Sequence, residues 1–94
     1  MLCARPFKDE THAVELANAT QFGLVAGVRT QDGARQFRMA KKVRVGQVFV
    51  NSYGAGSGVE LPFGGVQSSG YGRAKGFEAL FGFTTLKTVA VKHG

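Results

Sequence analysis

The chain has 94 residues, enough for at most one small domain with a thin margin of stability. Its hydrophobic content of 44%, with eight Phe, excludes a disordered tail, and it has neither an apolar run long enough to span a bilayer nor a signal-peptide pattern at Met1. The single cysteine excludes an internal disulfide framework and is typical of a reducing compartment, so we expect a cytoplasmic protein. The net charge of +6 leaves nucleic acid or an acidic protein surface open as partners.

The first residues are apolar and contain a proline near the end of the run. This pattern predicts a strand over residues 2–7 that stops at Pro6. Cys3 is the only thiol in the chain. No histidine or other base stands beside it, so we interpret it as a small buried strand side chain rather than a nucleophile.

A capping residue and a weak apolar stripe predict the first helix. Asp9 is a good N-cap for a helix over residues 10–19, and Glu10 lies in the first turn, where the helix dipole favours a carboxylate. His12 falls outside the apolar stripe and is expected to be a solvated surface residue. Gly23 is the predicted stop.

A strand and a second helix follow. The near-continuous apolar run over residues 24–29 predicts a buried strand. Thr30 or Asp32 is then expected to cap a helix that runs to about residue 43. The residues on the apolar side of this helix are Ala34, Phe37, Ala40 and Val43.

The other side of the second helix is basic, with Arg35, Arg38, Lys41, Lys42 and Arg44. It can be read as a phosphate-contacting patch, or as a solvated face whose cations lie toward the negative end of the helix dipole. We favour the solvated face, because a nucleic-acid site more often places stacking aromatic residues among its cations. Nucleic acid is therefore not the expected partner.

Gly46 predicts a turn and residues 47–51 another strand. The order so far is strand, helix, strand, helix, strand, which predicts an α/β protein with parallel strands and helices packed on the sheet. Ligands of such sheets bind beyond the carboxyl ends of the strands. The glycine-rich loop from Ser52 begins at that edge and contains Pro62-Phe63-Gly64-Gly65, where the proline fixes the backbone just before an aromatic ring.

The loop does not match the patterns of built phosphate sites. Gly54, Gly56 and Gly58 follow a strand, but Val59 stands where a dinucleotide fingerprint needs its third glycine. There is no Walker-type sequence, no metal-ligand spacing and no serine nucleophile elbow. We therefore expect no cofactor, metal or catalytic residue within the chain.

The end of the chain predicts one more helix and one more strand. The helix is expected over residues 73–81, with Gly82 as its stop. Residues 84–93 are rich in β-branched side chains and apolar on both faces. This strand is either an edge of the chain's own sheet or an addition to the sheet of another subunit.

The central stretch resembles the aldehyde dehydrogenase superfamily. The match consists of Val48-Phe49-Val50-Asn51, Pro62-Phe63-Gly64-Gly65, Ser69-Gly70-Tyr71-Gly72-Arg73 and Gly76, in that order and at the family's spacing. The combination is specific although no single piece is. The resemblance extends over nearly the whole chain and is to the C-terminal part of a protein several times longer.

This resemblance implies a fold, a reaction and a division of the chain. Residues 1–83 would be the end of a parallel-sheet catalytic domain, and residues 84–94 an oligomerisation strand. Family enzymes oxidise aldehydes to carboxylic acids with NAD or NADP, using a Cys nucleophile and a Glu base. Those residues and the cofactor-binding domain match nothing in these 94 residues, so the chain alone is expected to bind no cofactor and to be inactive.

The resemblance also implies roles for particular residues. Phe63 would line the aldehyde tunnel, and the loop of residues 52–61, including Tyr53, Gly54 and Leu61, would lie at the tunnel mouth. Arg73 would lie near a subunit interface. A homo-oligomer, or association with full-length family subunits, would form through the C-terminal strand. The interface residues of this strand would be Thr85, Leu86, Lys87, Thr88, Val89 and Val91.

Two positions depart from the family pattern. Gln67 stands where the family usually has Lys, and Ala74 stands where the resemblance implies a Glu that relays protons for the catalytic base. Ala74 cannot carry a proton, so a complete protein with this sequence would relay protons poorly. The rival hypothesis is a small basic interaction module that binds a partner subunit or nucleic acid through residues 35–44.

Overall fold

Two parallel strands and the helices beside them form the ordered centre of the molecule. The computed structural model describes residues 1–52 and 60–94. Within them the chain order is α1 (Glu10–Asn18), β1 (Val25–Val28), α2 (Gly33–Lys42), β2 (Gln47–Val50), a single 3-10 turn (Gln67–Ser69) and α3 (Ala79–Gly82). Tyr53 and Gly54 lie outside the described residues.

The sheet confirms the predicted α/β class. Strands β1 and β2 are parallel, with Val25 opposite Gln47 and Val28 opposite Val50. Parallel neighbours need a crossover, and α2 supplies it. The prediction of three strands in this part was wrong, because residues 2–7 form no strand and find no neighbour within the described part of the chain.

Side-chain caps fix where both long helices begin. The Asp9 carboxylate accepts the His12 amide N–H at 2.8 Å, while His12 Nδ1 accepts the Lys8 amide N–H at 3.0 Å. Asp32 caps α2 by accepting the Arg35 amide N–H at 3.2 Å. Of the two predicted caps of α2, Asp32 is therefore the one used. Helix α1 ends at Asn18, before the predicted stop at Gly23.

Helix α2 turns a different side to the protein than its apolar pattern predicts. Val43, which follows the helix, is buried with 6% exposure, and Gln36 and Met39 are half-buried. Phe37 is 74% exposed, and Ala34 and Ala40 are exposed as well. A sheet of two strands offers surface to only one narrow stripe of a helix, so the rest of the apolar side stays uncovered.

The C-terminal third differs most from prediction. The helix expected over residues 73–81 is wrong, because Ala74 pairs with Phe63 in an antiparallel bridge and Lys75 and Gly76 take the left-handed φ values 61° and 65°. Only the four residues of α3 are helical there. Residues 84–93 form no strand and are exposed, since no described strand lies beside them to complete a ladder.

The molecule is open rather than closed around a core. Its radius of gyration is 18.4 Å, against about 12 Å for a compact domain of this length. Among the described residues, the buried apolar side chains are Val43 and Ala79. Large apolar residues such as Phe81 and Phe83 are 79% and 89% exposed. Much of the apolar surface therefore lacks a covering layer.

Candidate functional site

The Pro62–Ser69 segment lies against the amino ends of the two strands. The Gly23 carbonyl, just before β1, accepts the Gly46 N–H at 3.1 Å and the Val66 N–H at 2.9 Å. The Gly23 N–H in turn donates to Ser69 Oγ at 2.9 Å. The loop leaves the sheet at its carboxyl end after Asn51, but its Pro-Phe-Gly-Gly part returns to the opposite end.

Two glycines make this close approach possible. A Cβ atom on Gly46 would lie 1.5 Å from the Gly64 carbonyl oxygen. A Cβ on Gly23 would lie 2.7 Å from both the Arg44 oxygen and Val66 Cγ2. Neither glycine has a left-handed φ, so backbone contact rather than conformational freedom explains both of them.

The peptide group between Pro62 and Phe63 is held on both sides. Gln47 Nε2 donates to the Pro62 carbonyl oxygen at 2.7 Å, and the Phe63 N–H donates to the Ala74 oxygen at 2.7 Å. The Ala74 N–H returns a bond to the Phe63 oxygen at 2.6 Å. Phe63 is 37% exposed and Leu61 45%, so both side chains are open to a ligand or to another part of a protein.

The sequence analysis did not predict the roles of two polar residues, one at the start of β2 and one directly after its end. Gln47 holds the loop at the amino end, and Asn51 holds the carboxyl end with φ 54°. Asn51 Oδ1 accepts the Thr30 N–H at 2.9 Å and its Nδ2 donates to the Thr30 oxygen at 2.8 Å. An amide side chain at each end of an apolar strand could have indicated these two hydrogen-bonding roles. Asparagine in particular tolerates the left-handed backbone region.

The family model described as "Aldehyde dehydrogenase family" matches residues 1–89. The chain belongs to the aldehyde dehydrogenase family. It is 44% identical over all 94 residues to betaine aldehyde dehydrogenase 1 of Rhizobium meliloti (strain 1021), covering 19% of that protein. It is 45% identical over 89 residues to the NADP/NAD-dependent aldehyde dehydrogenase PuuC of Escherichia coli (strain K12), covering 95% of this chain and 18% of PuuC.

Solved structures agree with the fold. A crystal structure from Burkholderia cenocepacia, assigned there as an aldehyde dehydrogenase, superposes with a TM-score of 0.84 and 68% identity over 94% of this chain and 18% of that one. The chain thus spans about a fifth of the length of the relatives it matches.

Arg73 braces the same loop. Its Nη1 donates to the Gly65 and Gly72 carbonyl oxygens, both at 2.9 Å. These are contacts within one chain. The subunit-interface role expected of Arg73, and of the C-terminal interface residues, stays a prediction.

The basic side of α2 is partly neutralised. Glu10 accepts from Arg38 Nε at 2.7 Å and Nη2 at 3.0 Å, and from Arg35 Nε at 3.1 Å. The hydrogen bond from Arg38 is the main cause that holds the pKa of Glu10 below its ordinary value. The same pair raises the pKa of Arg38. Arg35 and Arg38 therefore already form ion pairs within the chain. This weighs against the hypothesis of a basic interaction module that binds through residues 35–44.

A groove of about 680 Å³ runs between α1, α2, β1 and the N-terminal segment. Cys3, Phe7, Leu16, Arg35 and Met39 are among its lining residues, and Phe63 is not. Cys3 is exposed, and the residues around it form no strand, so its interpretation as a buried strand residue was wrong. Within residues 1–52 and 60–94, no three His, Cys, Asp or Glu side chains come together as a metal site.

No helix in the part of the chain that the structure describes is long and apolar enough to cross a membrane.

Proposed function

We propose that these 94 residues serve as the substrate-side wall of an NAD(P)-dependent enzyme that oxidises aldehydes to carboxylic acids. Phe63 would line the aldehyde site, with Leu61, Tyr53 and Gly54 at its mouth. The observation that carries this proposal is the double hydrogen bonding of the Pro62–Phe63 peptide, which presents a part-exposed aromatic ring on a fixed backbone. A fixed apolar ring selects substrates by shape and excludes water from a site.

The described residues do not fit a dinucleotide cofactor. Both long helices begin with an aspartate whose carboxylate already accepts an amide N–H of the first turn, at Asp9 and Asp32. A diphosphate at either end would meet a negative charge in place of a free donor. We therefore assign NAD or NADP to the remainder of a complete enzyme and no cofactor to these residues.

The chain alone is proposed to be inactive. Oxidation of an aldehyde needs a nucleophile or an activated water and an acceptor for the hydride. The only thiol, Cys3, lies on the groove that Phe63 does not line. The purified chain, given NAD⁺ or NADP⁺ and a panel of aldehydes, should produce no reduced nicotinamide. Turnover that survives further purification would contradict this expectation.

The wall function is tested in a complete enzyme. In this grafted enzyme the 94 residues replace the segment that they match in the Rhizobium meliloti protein. Phe63→Ala should change the ratio of kcat/KM for betaine aldehyde to that for a bulky aromatic aldehyde by at least about tenfold. Phe37→Ala, a matched loss of an exposed ring on α2, should leave the ratio unchanged. Equal ratios in both variants would refute the wall function.

Association through the C-terminal segment is part of the same proposal. Residues 84–93 expose their apolar side chains, with Leu86 at 100% and Val89 at 73% exposure. An extended segment of this kind gains most by adding to a sheet edge of another subunit. We propose a homo-oligomer, or association with full-length relatives, and a cytoplasmic location that suits the single free cysteine.

A further inference from the structure

The side chain of Gln47 reaches from the first residue of β2 to the loop that carries Phe63. Its backbone N–H donates to the Leu24 oxygen at 3.1 Å, so Gln47 is fixed in the sheet. Its side-chain Nε2 donates to the Pro62 oxygen at 2.7 Å, and this contact is partly buried. One residue therefore ties the sheet to the peptide group just before Phe63.

That peptide group has two polar atoms, and both are engaged. The Pro62 oxygen is held by Gln47, and the Phe63 N–H on the same peptide plane is held by Ala74. A planar peptide restrained at both atoms cannot rotate about the bonds that flank it. The Ala74 N–H also holds the Phe63 oxygen at 2.6 Å. The peptide groups on both sides of the Phe63 Cα are therefore restrained, and together they set the direction of its Cα–Cβ bond.

We propose that Gln47 is a positioning residue for Phe63, and through it a determinant of aldehyde selectivity. Ala74 pairs with Phe63 through two backbone hydrogen bonds, and Gln47 fixes the plane of the Pro62–Phe63 peptide relative to the sheet. Glutamine suits this position because its amide donates to a carbonyl, whereas a glutamate carboxylate would repel that carbonyl and an asparagine is one methylene shorter. The selectivity part of this proposal rests on the proposed wall function of Phe63.

The chain supplies a matched control in Gln36. Gln36 Nε2 donates to the Thr30 oxygen at 2.9 Å, and this contact is also partly buried. Gln36→Met and Gln47→Met thus remove the same kind of bond, from a side chain to a backbone carbonyl. Only Gln47→Met frees the peptide before Phe63. If the lost hydrogen bond affected only the general stability of the protein, both variants would show the same change in exchange and in KM.

The first measurement is hydrogen–deuterium exchange of the Phe63 amide in the grafted enzyme, read by residue-resolved mass spectrometry. Gln47→Met should speed this exchange about tenfold relative to Gln36→Met and the unsubstituted protein, which is the scale of one lost hydrogen bond. Gln47→Met should also raise KM for the aldehyde while KM for NAD⁺ stays constant. Equal exchange in the two variants, or equal shifts in both KM values, would overturn the positioning role.

The two proposals fail separately. If Phe63→Ala leaves the ratio between aldehydes unchanged, the wall function fails, and the exchange measurement still decides whether Gln47 holds the peptide. If Phe63→Ala changes the ratio and Gln47→Met alters neither the exchange nor the ratio, the wall function stands and the role of Gln47 is refuted.

Discussion

Phe63 and Ala74 pair through two backbone hydrogen bonds of 2.7 and 2.6 Å in an antiparallel bridge. In such a hydrogen-bonded pair the two side chains project from the same face. The side chain at position 74 is therefore a neighbour of the Phe63 ring. This relationship joins the residue proposed to line the aldehyde site to the position where the resemblance implies a glutamate.

Replacement of Ala74 by glutamate should restore a proton carrier beside Phe63. In the grafted enzyme we expect Ala74→Glu to raise kcat on the order of tenfold, less than the roughly hundredfold or more of a direct general base, and to leave the KM for NAD⁺ unchanged. Ala74→Gln has nearly the same size but carries no proton, so it is the matched control. The measurement is kcat as a function of pH. An equal gain in both variants would show that filled space, rather than proton transfer, is responsible.

Gly46→Ala should loosen the loop. The new Cβ would lie 1.5 Å from the Gly64 carbonyl oxygen, and because that oxygen belongs to the backbone, one of the two segments must move. Overpacking of this kind costs about 1–3 kcal/mol. A lower apparent Tm of the grafted enzyme, together with altered aldehyde selectivity, is the expected result. Gly33→Ala is the control, since a Cβ there meets no atom within 4 Å and alanine favours the helix. Equal apparent Tm values for the two variants would contradict the close contact between Gly46 and Gly64.

The Glu10 ion pairs predict a pH-dependent link between α1 and α2. The pKa of Glu10 is lowered in the folded chain, chiefly by the hydrogen bond from Arg38. A carboxyl with a depressed pKa stabilises the fold above its unfolded pKa, and this stabilisation is lost as pH falls through the folded value. Glu10→Gln should therefore destabilise the chain near pH 7, and the difference should shrink as the pH falls below the ordinary glutamate pKa of about 4.3.

Unfolding followed by circular dichroism at several pH values would measure this difference. Glu15→Gln is the matched control, because Glu15 lies on the same helix and forms no ion pair with a described residue. Added salt should reduce the effect of Glu10→Gln, since the pairs are solvent-exposed. A difference that stays constant over the whole pH range would rule out the ion pairs as its source.

Charges in the C-terminal segment should weaken association. Leu86 is 100% exposed and Val91 is 71% exposed, and both are apolar. Leu86→Asp combined with Val91→Asp should shift the chain, or its complexes with full-length relatives, to smaller species in size-exclusion chromatography with light scattering. Thr11→Asp with Gln31→Asp adds the same charge at exposed sites elsewhere. Equal masses for the two double variants would argue against a segment-specific interface.

Short sequence patterns were sufficient to predict the elements that are stabilised by contacts between residues close together in the chain. Asp9 predicted the start of α1, and the start of α2 lies at one of its two predicted caps, Asp32, because an N-cap acts on amides only three residues away. The spacing of helix and strand predicted parallel pairing of β1 and β2. The ordered run of Pro62-Phe63-Gly64-Gly65 and its neighbours predicted the family, to which the chain belongs.

Tertiary contacts decided what the sequence alone did not. Residues 2–7 and 84–93 have the composition of strands, yet a strand exists only where a neighbour completes its hydrogen bonds, and the described chain offers none. The pairing of Ala74 with Phe63 replaced a predicted helix, because two backbone bonds across the loop outweigh a weak helical pattern that contains Gly76. The role of Gln47 depends on a contact across fifteen residues of chain, which no local periodicity reveals.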